Sequence, residues 1–395
     1  MRTFKFILSG ILLVCAASGA RAQSGYEAVL KRIEANNTTL AALREQTEAQ
    51  KIGNRTGIYP NDPEVEFNYL WGSPRFIGNR ADIAVRQSFD FPTVYGHRGK
   101  IADLQNANAE LAYKAERINV LLSAKQTCVE LVYYNALVRE YAARLQNAAR
   151  IAEANKTRFE KGDINILEYN KAQLNLAAVQ TETALIEAGR TELLSELRRL
   201  NGGKDIAFSD DTYPAGTLPA DFEGWYASAE TGSPALRYIS GQIEIEQRQA
   251  SLNRALGLPK FSAGYMSEKV EGEHFQGFSV SASIPLWENK NRVSAAEAQA
   301  RAAKSVLEDN KAQFYNRLRV LYFKAAALGQ TAQKLRQALS AYNNEPLLKK
   351  ALDAGEISLL DYLLETGYYY DAMNKALEAE RDYQKAIAEL SAVEL

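Results

Sequence analysis

Residues 64–71 read Glu-Val-Glu-Phe-Asn-Tyr-Leu-Trp, and residues 82–91 read Asp-Ile-Ala-Val-Arg-Gln-Ser-Phe-Asp-Phe. In the first stretch Val65, Phe67, Tyr69 and Trp71 alternate with Glu64, Glu66, Asn68 and Leu70. In the second, Ile83, Val85, Phe89 and Phe91 alternate with Asp82, Ala84, Arg86, Ser88 and Asp90. The pattern returns later, with Phe261, Ala263 and Tyr265 set against Lys260, Ser262 and Gly264, and Phe278, Val280, Ala282 and Ile284 set against Ser279, Ser281 and Ser283. A period of two marks a strand with one apolar and one polar face. A water-soluble sandwich shows the same alternation, but it needs more strands and a second sheet to cover the apolar face. This sequence offers only these short strands, aromatic at their ends and separated by long helical stretches. Strands of about ten residues with one greasy face are what an outer-membrane barrel turns to lipid. The expected lipid-facing set is Val65, Phe67, Tyr69, Trp71, Ile83, Val85, Phe89, Phe91, Phe278, Val280 and Ile284. So few strands cannot close a barrel, and an open edge in lipid leaves backbone groups unpaired at several kcal/mol each. Several chains must therefore share one barrel.

Helical periodicity supplies an independent signal. From Val138 the residues Tyr141, Leu145, Ala148, Ala152, Asn155 and Phe159 follow at alternating steps of three and four. From Phe314 the series Leu318, Leu321, Ala325, Leu328, Ala332, Leu335, Leu339 and Tyr342 does the same. This is coiled-coil spacing. A single helix over 98–161 would be roughly 95 Å long at about 1.5 Å per residue, so it must pack in a bundle or tube. Pro346, in Asn344-Glu345-Pro346, predicts a kink or restart in the second long helix; the first has no such residue.

The chain also reads as a duplication. Asn36-Asn37-Thr38-Thr39-Leu40 precedes Gly232-Ser233-Pro234-Ala235-Leu236 by 196 residues, and Pro63 precedes Pro259 by the same interval. Pro92 precedes Pro285 by 193, and the stretch from Gly162 to Tyr169 precedes that from Gly355 to Tyr362 by 193. Residues 1–22 read as a secretory signal, 23–208 as a first repeat and 209–395 as a second. Each repeat has the order helix, β-hairpin (about 64–91 and about 260–286), then a long helical hairpin with its tip near Gly162 or Gly355. Glycine there supplies the left-handed turn, and Asn165 or Ser358 caps the next helix. The join around Gly202 to Pro234 is rich in Gly, Pro, Ser and Asp.

Composition narrows the function. A formal net charge of -1 calls for no nucleic acid or other polyanion. Arg2 and Lys5 lead into an apolar stretch from Phe6 to Ala17, followed by the small-residue pattern Ala20-Arg21-Ala22, which predicts cleavage before Gln23. Cys15 has Val14 before it, where a lipidated cysteine wants a small residue. Cys128 is then the lone thiol of the mature chain and reads as a small buried side chain. No later run is apolar enough for a membrane-spanning helix. The histidines, His97 near the barrel-to-helix junction and His274 in the expected outer loop, together with Met266 and Met373, form no metal-ligand spacing. No nucleophile elbow, phosphate loop or catalytic carboxylate pair stands out. The expectation is no enzyme, no catalytic residue, no metal site and no cofactor.

These pieces together resemble the TolC and outer-membrane efflux protein family. The resemblance rests on the early Asn36-to-Arg44 helix, the strands entered after Pro63 and Pro259, the Phe-Pro and Ile-Pro exits at Pro92 and Pro285, and the two tips of the form Gly-x-x-x-x-x-[Glu/Asp]-Tyr. The second tip is especially similar to heavy-metal efflux members of the CusC and CzcC type. The resemblance implies a mostly helical fold with a small β part: a homotrimer whose twelve strands, four per chain, form an outer-membrane barrel, continued by a long periplasmic helical barrel. It also implies docking of a periplasmic adaptor and an inner-membrane pump of the RND type at or below the tips. Asp361 matches an aspartate that lines the closed periplasmic aperture in related channels, and the tip residues are Asp361, Glu168, Gly162 and Gly355. A second aspartate expected three residues later is replaced by Leu364, and the usual lock residues by Leu352 and Ile357, so gating is expected to differ. The function implied is passive exit of metal cations or drugs. The alternatives are a type I secretion duct and a soluble periplasmic coiled-coil scaffold or adaptor.

Overall fold

The computed structural model describes residues 25–214 and 216–395. The signal expected over 1–22, with Cys15, lies outside the described residues. In chain order the elements are α1 (Gly25–Asn36), α2 (Thr38–Gly53), β1 (Glu64–Leu70), β2 (Arg80–Phe89), α3 (Pro92–Glu160), α4 (Ile166–Leu200), α5 (Phe222–Gly232), α6 (Pro234–Ala255), β3 (Lys260–Val270), β4 (Glu273–Ser283), α7 (Arg292–Ala341), α8 (Glu345–Asp353) and α9 (Leu359–Leu390). No described helix is long and apolar enough to cross a membrane.

Local chemistry sets the boundaries. Asn37 caps α2 by accepting the Leu40 N–H at 2.8 Å, and Ser233 caps α6 by accepting the Leu236 N–H at 3.4 Å, with Pro234 in the first turn where its missing donor costs nothing. The long helix α3 runs unbroken for 69 residues, about 104 Å. It starts six residues before the expected position 98, because Pro92 is preset for a helical first turn. Pro285 has no such role: α7 begins only at Arg292, after a turn in which Asn291 takes a left-handed φ of 67°. The break foreseen at Pro346 is present, with α7 ending at Ala341 and α8 restarting at Glu345.

Two apolar cores recur along the helices. One joins Tyr26, Val29 and Ile33 of α1 to Leu131 and Val132 of α3 and Leu197 of α4. The other joins Phe222 and Tyr226 of α5 to Leu318 and Ala325 of α7 and Leu390 of α9. A third, built from Val94, Ile101, Ile245 and Leu252, lies where α3 and α6 leave the sheet, and Phe91 packs against it. Cys128 is fully buried in the first core, and burial pushes its thiol up to about 12.

Candidate functional site

The four strands form one antiparallel sheet in the order β1-β2-β3-β4. Its register decides what each face presents, because residues directly opposite one another share a face. Val65 pairs Val85, which pairs Tyr265, which pairs Phe278. Phe89 pairs Phe261, which pairs Ala282, and Ala263 pairs Val280. The alternations read separately from four stretches thus converge on a single apolar face. That face lies bare: Phe278 is 90% and Val280 82% exposed.

The other face is polar. Glu66, Ala84, Met266 and Gly277 form one row, and Asn68, Asp82, Glu268 and Phe275 another. Arg80 Nε reaches Asp82 Oδ1 at 2.9 Å and Glu268 Oε1 at 3.1 Å. Toward the helices Ser88, Ser262 and Ser281 stand in register, with Ser262 and Ser281 hydroxyls 2.7 Å apart. Phe275 and Met266 are apolar residues on this polar face that the alternation did not flag. The outer edges of β1 and β4 have no strand partner among the described residues.

Three expected lipid-facing residues lie outside strands. Trp71 follows β1 by one residue and meets Tyr69 edge to face at 5.6 Å, and Ile284 follows β4 by one; both are exposed. Phe91 is a correction: it is the N-cap of α3, half-buried, with its ring 6.5 Å from that of Phe261. The chain turns into α3 at Pro92, which swings this ring from the strand's outer face into the helical core. His274 is likewise not in a loop; β4 starts at Glu273, and His274 Nε2 lies 2.8 Å from Ser267 Oγ.

At the opposite end of the molecule the helices close in two hairpin tips. Gly162 and Gly355 hold φ of +78° and +76°, the conformation a side chain resists. Asn165 accepts the Leu167 and Glu168 N–H groups. Ser358 and Asp361 form a reciprocal capping box, with Ser358 Oγ donating to Asp361 Oδ2 at 2.6 Å. Asp361 is exposed and Glu168 half-buried. Leu352 and Ile357 pack on a small core of Ile151, Ala172, Leu359 and Tyr362, while Leu364 is exposed.

Sequence reading missed the polar ladder that ties the first hairpin to the second. From α3, Arg144 Nη2 donates to Asn374 Oδ1 at 3.1 Å, Asn147 Nδ2 to the Tyr362 hydroxyl at 2.7 Å, and Arg150 Nη1 to Asp353 Oδ1 at 2.8 Å. Buried Arg144 lies between the Tyr141 and Tyr370 rings at 4.5 and 4.2 Å, a cation-π arrangement that replaces part of its lost hydration. Burial raises the Tyr362 hydroxyl above its usual range despite the Asn147 bond. The step of three from Tyr141 to Arg144, Asn147 and Arg150 was the available signal; the partners came from a distant part of the chain. Among the described residues no group of three His, Cys, Asp or Glu could hold a metal ion.

A sheet with one bare apolar face is thus set on a bundle of very long helices. Residues 225–393 match the family model described as outer membrane efflux protein. The alkaline protease secretion protein AprF of Pseudomonas aeruginosa is 27% identical over 264 residues, covering 60% of this chain and 53% of AprF. The outer membrane protein TolC of Vibrio cholerae is 22% identical over 389 residues, 89% of this chain and 85% of TolC. The chain thus spans about half of AprF and most of TolC. The crystal structure of CusC superposes with a TM-score of 0.76 at 14% identity, covering 93% of this chain and 91% of CusC. Residues 225–393 thus resemble the outer membrane efflux proteins, and the chain shares the fold of the CusC channel.

Proposed function

We propose that this chain is the passive exit duct of a tripartite efflux system. Three copies close one twelve-stranded barrel, and their helices continue as a periplasmic tube that meets an adaptor and an inner-membrane pump, of the RND type, at the tips. The two halves of each chain act as structural repeats. The observation that carries this reading is the sheet with one bare apolar face and two unpartnered edges. Such a sheet has a use in lipid only when neighbouring copies supply the missing strands.

At the tips, Gly162, Glu168, Gly355 and Asp361 line the periplasmic aperture. Three symmetry-related Asp361 carboxylates attract cations and repel one another, while the Ser358 capping bond holds each in place. Leu352, Ile357 and Leu364 supply apolar contacts where the family uses polar locks. The pump supplies the energy, and no step in this chain is enzymatic. Cargo is metal cations or drugs; export of a protein is a second reading, favoured by the similarity to AprF, whose name is that of a secretion protein.

Light scattering of the full chain purified from outer membranes in detergent tests the assembly. A protein mass of three chains is expected. A monomer that leaves membranes without detergent would end the duct reading and favour a periplasmic scaffold.

A further inference from the structure

The apolar face is not a rectangle, and its outline carries information about the bilayer. Rows can be counted from the one that holds Val65, Val85, Tyr265 and Phe278. Going outward, away from the helices, apolar residues continue six positions on β1 to Trp71 and four on β2 to Ala81. On β3 and β4 they stop at the reference row: Ser267 and Gln276 follow two positions out, Lys269 and His274 four. Going inward, they begin at Val65 itself on β1, reach four positions to Phe89 and Phe261 on β2 and β3, and six to Ile284 beyond β4. Leu286 and Trp287, 68% and 80% exposed, lie further still in that direction. Both limits descend in the same sense from β1 to β4.

Gln87 is the one polar residue inside this outline, and its amide is engaged: Nε2 donates to the Asn61 carbonyl at 2.5 Å. The polar residues just outside the outline are engaged as well: Gln276 Oε1 accepts from the hydroxyl of Tyr265 on the reference row at 2.8 Å, and Ser267 Oγ lies 2.8 Å from His274 Nε2.

We propose that the bilayer boundary crosses the sheet on a diagonal, from Trp71 beside β1 to a line between Phe278 and Gln276 on β4. Ser267, Lys269, His274 and Gln276 then stand in the headgroup layer of the outer leaflet. The outer limit falls six positions over three strand spacings, about two residues or 6.6 Å for each 4.8 Å sideways. Strands tilted by about 45° would give roughly 1.5 residues per spacing, so the outline matches the stagger of a closed outer-membrane barrel to within half a residue. Lys269 and His274, paired across β3 and β4, place a cation and an imidazole where phosphate groups of outer-leaflet lipid lie. This inference rests on the lipid-facing reading of the sheet.

The test measures depth. Trp71→Cys, Phe67→Cys and Gln276→Cys, each carrying a nitroxide, are made in the full chain and reconstituted in phospholipid vesicles; buried Cys128 is replaced by serine. Oxygen and nickel-chelate collision rates then report the depth of each probe. On the diagonal, the Gln276 probe lies at the depth of the Trp71 probe, and the Phe67 probe about 9 Å deeper, four residues of about 3.3 Å on a strand tilted by about 45°. Should the Gln276 probe instead match Phe67, its partner by row, the diagonal is overturned and the barrel stands. Should no probe collide with oxygen more than with the nickel chelate, the face is not in lipid and the duct reading fails with it. Ser267→Cys, close in volume to the native residue, makes the same discrimination if the Gln276 variant fails to assemble.

Discussion

Val85→Arg and Ala84→Arg differ by one residue in position and by a face in consequence. Val85 lies at the centre of the apolar outline on β2, between Val65 and Tyr265. On the proposed lipid face a guanidinium there would have hydrocarbon around it and would cost about 2–4 kcal/mol at the bilayer midplane. Ala84 faces the other way, in a row with Glu66 and Met266, where a guanidinium meets water and the Glu66 carboxylate. Because three copies share the barrel in the proposed assembly, the penalty enters three times, about 6–12 kcal/mol per trimer. That is comparable with the whole stability of a folded domain. Heat-modifiable trimer in outer-membrane fractions is the assay. Val85→Arg should lose most assembled trimer, and Ala84→Arg should stay near wild type. Equal assembly of the two, or greater loss from Ala84→Arg, refutes the assignment of faces.

Other expectations concern the helical part. Gly355→Ala at φ +76° should cost about 1–2 kcal/mol of tip stability through the left-handed backbone, read as earlier proteolytic nicking at that tip, and Gly162→Ala should behave alike. Tyr362→Phe removes the acceptor of Asn147 and should cost about 1 kcal/mol in denaturant midpoint. Cys128, held near 12 by burial, should react with a maleimide at pH 8 far more slowly in the native protein than in urea, since the thiolate is the nucleophile; equal rates would show the first core to be open. The Arg117 hydrogen bond lowers Glu34 and the Lys51 bond lowers Glu110 below the usual 4.5. Their contribution is therefore complete above pH 4.5 and is lost as pH falls through the lowered values; a midpoint that rises on acidification would contradict these pairs.

What the sequence made legible was governed by local periodicity. The alternation in 64–71 and 82–91 marks strands and their faces because a side chain's direction follows from its parity alone. The tip at Gly355 was legible because a left-handed residue followed by a Ser358 cap is a local device. Phe91 kept the right parity but lost its place, since the helix preset by Pro92 turns the chain before the ring can join the sheet. The diagonal outline was beyond reach: it depends on which residue of β3 meets Val85, and register is a property of the pair. The ladder from Arg144 to Arg150 was hidden for the same reason, with its partners Asn374, Tyr362 and Asp353 lying more than 200 residues away.

The unpartnered edges bind membrane insertion to assembly. In an antiparallel strand, alternate residues direct both N–H and C=O to the same side. Of the 11 residues of β4, about half turn their backbone groups away from β3. In hydrocarbon each unsatisfied group costs several kcal/mol, so that edge alone would cost tens of kcal/mol, well above the roughly 5–15 kcal/mol that holds a domain folded. Water removes this penalty but then exposes Val65, Phe67, Phe278 and Val280 together, a patch that favours association. A single copy is thus destabilised in either solvent, and each neighbour that pairs an edge relieves both costs at once. Under this reading strands pair between copies before or during entry into lipid. Pulse-labelled chains should pass from soluble to trimer with no membrane-embedded monomer, and a long-lived embedded monomer would show that something other than strand pairing satisfies those edges.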